Sequence, residues 1–264
     1  MIDNKTVILT GASSGVGKAV AQRLLERGSK VIAIDIKEPS TAVAEYYRCD
    51  LGDPLSIDEL LNKLTGSYAC VLNVAGVPGT VGDETTMRVN LLGLRHFTDS
   101  VWDRIEDGGT VVNVASIAGN NWRRRRNFLN DLLATTSFEE GLEWWRTNHT
   151  ALDTDAYTFS KEAVVLYTMQ LAGRGLARGI RVNDVGPGPV DTPILPDFTR
   201  ATGEELMQQM INIVGRPAQP GDIADAIVVL AQGSIGWLNG QHIVVDGGLT
   251  AGYSAGWHKG SSTR

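Results

Sequence analysis

Cysteine is scarce in this 264-residue chain, with only Cys49 and Cys70. Two such thiols make neither a disulfide framework nor a metal-binding set, so both read as small buried side chains in a reducing compartment. Positive charge is also in deficit. Lys and Arg number 24 against 30 Asp and Glu, giving a net charge of -6 and a pI near 5.3, the wrong sign for a protein whose main partner is a nucleic-acid backbone. No apolar run approaches the roughly 20 residues of a bilayer-spanning helix, and the opening MIDNKTVILTG lacks a basic leader or small-residue cleavage site. His96, His149, His242 and His258 stand in no metal-ligand spacing, so no metal is expected. The absence of a G-x-S-x-G elbow removes a serine-hydrolase reading. No linker-like tract, repeat or low-complexity segment divides the chain. The expectation is one cytoplasmic domain, residues 1–264, with neither membrane nor nucleic acid as partner.

Glycine is the residue in excess, 30 of 264, roughly 11% against a usual 7%. Around the glycines, short β-branched runs recur: TVILT at 6–10, KVIAID at 30–35, YACVLN at 68–73, TVVNVAS at 110–116, IRVNDV at 180–185 and HIVVD at 242–246. They read as buried parallel strands. Stretches with helical apolar spacing lie between them, such as Val16 to Arg27 and Asp222 to Ala231, so the fold class is α/β with a doubly wound sheet. Residues of about 120–153 break the alternation with helix formers and no strand, a helical insertion. Its run Arg123 to Arg126 is offset by Asp131, Glu139, Glu140 and Glu143 and reads as a solvated or interface helix. Trp144 and Trp145 are adjacent and cannot share one helix face, so one is expected to pack on the domain and the other to reach a ligand or second subunit.

The first strand ends in TGASSGVGKAV, where Gly11, Gly15 and Gly17 enter a helix. Glycines there allow a sharp turn and let backbone N–H groups, with Ser13, Ser14 and Val16 among them, approach a pyrophosphate at the positive helix end. Asp35 closes the next strand. A carboxylate at that point accepts ribose hydroxyls and repels a 2′-phosphate, which favours NAD over NADP, with Lys37 the opposing feature. Tyr157 and Lys161 are four apart in YTFSK and stack on one helix face. A phenol of pKa near 10 needs a shift of about 3 units to be half ionised at neutral pH. An ammonium about 4 to 5 Å away supplies roughly 3 to 4 kcal/mol toward it at an effective dielectric near 20.

With these motifs together, the sequence resembles the short-chain dehydrogenase/reductase family. TGASSGVG, CDL at 49–51, NVAG at 73–76, VN at 89–90, VAS ending at Ser116, YTFSK and NDVGPGPVDTP at 183–193 carry the resemblance over nearly the whole chain. It looks closest to the bacterial subgroup of coniferyl-alcohol dehydrogenase and 3α-hydroxysteroid dehydrogenase/carbonyl reductase. The resemblance implies a seven-stranded, mostly parallel Rossmann-type sheet with helices on both faces, and NAD-linked interconversion of an apolar alcohol and its carbonyl. By the same resemblance Tyr157 exchanges the hydroxyl proton, Ser116 orients the substrate oxygen, Lys161 lowers the tyrosine pKa and binds ribose, and Asn90 holds a relay water. Asp50 and Leu51 flank the adenine, Asn73, Ala75 and Gly76 line the cofactor's path, and Pro187, Gly188, Val190 and Thr192 fix the carboxamide. Ile194, Leu195 and Phe198, with Met207 and Met210 behind them, begin an apolar substrate lid.

Three departures from the family pattern stand out. Val74 replaces a second Asn that often ties strands together, the Gly76–Asn90 connection is short, and Ser116 and Tyr157 lie 41 positions apart because the insertion intervenes. The insertion is expected to wall the substrate cleft and to alter the helix-to-helix subunit contact, favouring a homodimer over a tetramer. The alternative is a non-catalytic NAD(H)-sensing or scaffold protein that uses the Arg- and Trp-rich insertion as a partner surface.

Overall fold

The computed structural model describes residues 2–257, so His258 lies outside the described residues. In chain order, β1 (Thr6–Thr10), α1 (Gly15–Glu26), β2 (Lys30–Asp35), β3 (Glu45–Arg48), α2 (Pro54–Lys63) and β4 (Tyr68–Asn73) form the first half of the sheet. Next, α3 (Asp83–Met87) runs through a π-helical turn (Arg88–Gly93) into α4 (Leu94–Val101) and β5 (Ile105–Val114). A 3-10 run (Ile117–Arg125), α5 (Arg126–Leu133) and α6 (Phe138–Asn148) precede α7 (Ala156–Gly175) and β6 (Arg181–Pro187). The chain closes with α8 (Leu195–Thr202), α9 (Glu204–Val214), α10 (Pro220–Ala231), β7 (His242–Val245) and α11 (Leu249–Ala255).

The seven strands form one sheet in the order β3-β2-β1-β4-β5-β6-β7, and every neighbouring pair is parallel. This is the doubly wound, Rossmann-type order. Alternation along each strand sends side chains to opposite faces. Ile8, Val71, Val111 and Val182 join one core with residues of α2, α4 and α7. Val7, Leu9, Leu72 and Val112 join the other, under α1 and α10. Burial on both faces explains why the strands read as continuous apolar runs. Cys49 and Cys70 are buried and free, and burial pushes their thiols up to about 11 and about 12. Among the described residues no helix is long and apolar enough to cross a membrane.

The insertion is helical, as its sequence pattern suggested, but it packs differently from expectation. Leu129, Leu132, Phe138, Leu142 and Trp145 are buried in the core beneath α4 and α7. Trp144 is not released to a ligand. Its ring stacks on Phe159 of α7 at 6.0 Å with an interplanar angle of 6°, and Phe128 meets it edge-on. Trp145 reaches Phe159 at 5.8 Å, so one large ring receives both tryptophans. Arg125 extends this docking inward, with Nη1 2.8 Å from the buried Glu162 Oε1 and further bonds to the Leu152 and Asp153 carbonyls. Covered by the sheet on one side and the insertion on the other, α7 is buried almost all round, which is why it lacks the polar stripe of a surface helix.

Candidate active site

A cleft of about 1,180 Å³ opens along the C-terminal ends of the strands, where a doubly wound sheet places its ligand. Its nucleotide end is made by the turn after β1. A Cβ on Gly11, where φ is +75°, would lie 2.7 Å from the Ala75 backbone, and one on Gly17 would lie 2.0 Å from the Gly11 carbonyl. Side chains are therefore excluded where the turn must pack against β4 and against itself. Ser14 starts α1 without capping it through its side chain, which leaves first-turn amides free for an anion. Asp35 is held from both sides, Oδ2 accepting from Ser13 N at 2.9 Å and Oδ1 from Lys37 N at 3.0 Å.

Asp50, Leu51, Ala75, Gly76 and the stretch from Pro187 to Thr192 supply the remaining wall, and the Thr192 side chain lies against Gly15. These residues fit a nicotinamide dinucleotide. Gly11 to Gly17 would hold the pyrophosphate, Asp35 a ribose, and Pro187, Gly188, Val190 and Thr192 the nicotinamide end.

Asn73 departs from its expected place. Its side chain faces away from the cleft, and Nδ2 donates to Thr98 Oγ1 and Asn113 Oδ1, both at 2.8 Å. It ties β4 to β5 and α4, the role expected of the Asn that Val74 replaces. Asn90 is also outside the cleft wall. In the π-helical turn its Oδ1 accepts from Val77 N at 2.8 Å, and its Nδ2 donates to Val77 O at 2.9 Å. Its side chain thus clamps the loop beside Gly76. Such π-turns recur where a functional group needs backbone off the regular helical ladder.

Asp155 caps α7 by accepting from Thr158 N at 2.8 Å, which fixes Tyr157 in the first helical turn and Lys161 one turn on. Both face the cleft with Ser116. Lys161 Nζ donates to the Val114 carbonyl at 2.9 Å and sits 5.8 Å from the Tyr157 ring centre. The ammonium therefore does not depress the phenol as the sequence arithmetic expected. Burial pushes Tyr157 up to about 12, against the pull of the facing Ser116 hydroxyl. Burial likewise draws Lys161 down to about 8. In a low-dielectric pocket desolvation dominates at both side chains, and each group leans toward its neutral form.

At the far end Ile194, Leu195, Phe198, Met207 and Met210 all line the cleft. Phe198 meets Tyr157 edge-on, with ring centres 5.1 Å apart. The connection after Gly76 forms part of the wall of the site. Thr80, Asp83 and Thr85 line the mouth, and Thr80 Oγ1 donates to Asp197 Oδ1 at 3.1 Å, fastening the loop to α8. No sequence signal marked that clasp. The insertion, in contrast, contributes nothing from 119–154 to the described lining, because its apolar side chains are buried behind α7. His149, at the end of α6, bonds to its own helix. Among the described residues no His, Cys, Asp and Glu cluster could hold a metal.

Comparison with known proteins agrees with this geometry. Residues 5–126 match the short chain dehydrogenase family, and residues 145–250 match a related family described as enoyl-(acyl carrier protein) reductase. The chain is 35% identical to the coniferyl-alcohol dehydrogenase of Pseudomonas sp. strain HR199, over 96% of this chain and 99% of that protein. It is 26% identical to 3beta-hydroxysteroid dehydrogenase 2 of Eggerthella lenta, over 95% and 96%. The crystal structure of the 3-alpha-hydroxysteroid dehydrogenase of Pseudomonas sp. B-0831 complexed with NADH superposes with a TM-score of 0.78 at 26% identity, covering 95% of this chain and 98% of that one. With the glycine turn, the Ser116, Tyr157 and Lys161 set and the sheet order in place, the chain belongs to the short-chain dehydrogenase/reductase family and is an oxidoreductase.

Proposed function

We propose that this protein is an NAD-dependent alcohol dehydrogenase that interconverts a neutral, apolar alcohol (aromatic, allylic or alicyclic and steroid-like) and its carbonyl. One observation carries the reading. A single cleft brings Ser116, Tyr157 and Lys161 between the Asp35 end and a lid of Ile194, Leu195, Phe198, Met207 and Met210. Among the described residues the basic side chains lining it are Lys37, beside Asp35, and the catalytic-end Lys161. A substrate carboxylate or phosphate would find no cation at the lid end, whereas an apolar ring would meet a surface of its own kind. The fixed Asp35 carboxylate supports NAD over NADP, since a 2′-phosphate there would face a like charge.

When bound, the nicotinamide supplies the hydride acceptor or donor. The chain supplies the rest. Ser116 Oγ holds the substrate oxygen, Tyr157 Oη takes the hydroxyl proton in oxidation and returns it in reduction, and Lys161 holds positive charge beneath the phenol. Asn90 fixes the loop beside them. Similarity to a coniferyl-alcohol dehydrogenase and to hydroxysteroid dehydrogenases supports the same substrate class. The scaffold alternative has less behind it, because Trp122, Trp145 and the Arg125 head are engaged inside the fold rather than displayed.

The proposed assembly is a cytoplasmic homodimer of single-domain subunits. The insertion covers α7, while β7 is an edge strand with the fully exposed Trp237 in the loop before it, a surface suited to a second copy. The functional test is NADH formation from NAD with a panel of benzylic, allylic and hydroxysteroid alcohols. Turnover of the apolar members, none of sugar alcohols or phosphate esters, and weak activity with NADP are expected. A preference for a charged alcohol would overturn the substrate class.

A further inference from the structure

Asp184 stands in the middle of β6, in register with Asn113 of β5 and His242 of β7. Its side chain is wholly buried, an expensive place for a carboxylate. The His242 ring lies against it. Nδ1 meets Asp184 Oδ1, and Nε2 lies 2.8 Å from Asn120 Oδ1. Both ring nitrogens of His242 are thus engaged, one by the Asp184 carboxylate and the other by the Asn120 side chain. The backbone makes room for this ring beneath the catalytic serine. A Cβ on Gly186 would come within 2.5 Å of His242 Cε1 and 3.3 Å of the Ser116 carbonyl. Asn120 in turn belongs to the run that follows Ser116, and that run presses on α7, since a Cβ on Gly119 would lie 2.9 Å from the Lys161 carbonyl.

The second carboxylate oxygen, Oδ2, has no hydrogen-bond partner. Burial pushes the Asp184 carboxyl above its usual range, against the opposing pull of His242 from β7 and Lys161 from α7. Asp184 is in turn the charge that opposes the desolvation of Lys161. The other titratable groups nearby are otherwise placed. Glu162 of α7 is paired with Arg125 of the insertion, Asp155 caps the helix start, Tyr157 lies beneath the ammonium, and the π-helical turn presents the uncharged Asn90.

We propose that Asp184, held by His242, is a positioning residue for the proton-transfer groups: its buried carboxylate is the counter-charge of Lys161, and the Asp184–His242–Asn120 chain fixes the backbone that carries Ser116. The proposal rests on Tyr157 and Lys161 being the groups that handle the proton. Removing a buried negative charge makes an ammonium easier to deprotonate, so Lys161 should titrate lower without it.

The test is a carbon-13 NMR titration of cofactor-free protein labelled in lysine, with the Lys161 signal identified by its loss in Lys161→Arg. Asp184→Asn keeps the shape and should lower the Lys161 midpoint by about 1 pH unit. His242→Gln should move it the same way, because the buried carboxyl loses the imidazole hydrogen bond that opposes its protonation. The double variant should add little to either single one. The same variants should move the pH profile of turnover toward acid, which a purely structural role would not do. An unchanged Lys161 midpoint in folded Asp184→Asn overturns the counter-charge, and should that variant not fold, an unchanged midpoint in His242→Gln does so. If the midpoint moves while Lys161→Met retains full turnover, the counter-charge stands and the proton-transfer reading fails.

Discussion

Replacing Lys161 by Met should make the protein more stable while disabling it. Burial draws this lysine from 10.5 to about 8, so at neutral pH the fold confines an ammonium that the unfolded chain would leave in water. A gap of that size corresponds to about 3 kcal/mol of destabilisation. Met fills the same stem volume but forgoes the 2.9 Å bond to the Val114 carbonyl, worth about 1 kcal/mol. The net gain at pH 7 is about 2 kcal/mol, which in a chain of this size raises Tm by roughly 4 to 8 °C. The pH dependence distinguishes this cause from better packing. Between pH 8 and 10.5 the folded protein has already lost the proton and the unfolded chain still holds it, so wild-type stability rises with pH and the advantage of Met shrinks. Below pH 8 the advantage is complete, and above 10.5 it is gone. Urea unfolding of both proteins without cofactor, across that range, measures it. A variant less stable than wild type at pH 7, or a gain that does not change with pH, would refute the reasoning.

Other perturbations separate the remaining parts of the account. Asp35→Ser should weaken NADH binding by about tenfold and improve NADPH binding, since it removes both a ribose acceptor and a repulsive charge; fluorescence titration reads both affinities. Arg125→Ala leaves Glu162, already pushed up by burial, without its cation and should cost about 3 kcal/mol, seen as a Tm roughly 10 °C lower. Adding Glu162→Leu should restore most of that loss. Trp237→Asp should convert the proposed dimer to monomers in light scattering with the monomer still folded, and an unchanged mass would place the interface elsewhere.

Much of this fold is written locally. Five of the six β-branched runs became strands buried on both faces and the sixth the half-buried edge strand β7, and the glycine turn and Tyr157–Lys161 pair sit where short-range spacing puts them. β3 escaped notice because EYYR is a short edge strand with a mixed burial pattern, so it carries no apolar run. Asn73 differs from its expected place because its motif lies beside the cleft while its own side chain alternates to the far side. The packing of the insertion depended on contacts no window shows: Trp144 and Trp145 share Phe159, and Arg125 reaches Glu162, 37 positions away. His242 and Asp184 are 58 positions apart and meet only through the register of β6 and β7. The pKa of Tyr157 was misjudged for a related reason. Spacing gives the face of a helix, but burial decides which effect wins.

The central claim is that Tyr157 manages the proton while hydride passes directly between the alcohol carbon and the nicotinamide. Its most direct test is oxidation of an accepted alcohol deuterated at the carbinol carbon, with the NADH product analysed by mass, for wild type and Tyr157→Phe. The account predicts deuterium in the NADH from wild type and turnover at least about 100-fold slower in Tyr157→Phe, with NADH binding preserved. NADH without deuterium, or near-normal turnover in the variant, would contradict it.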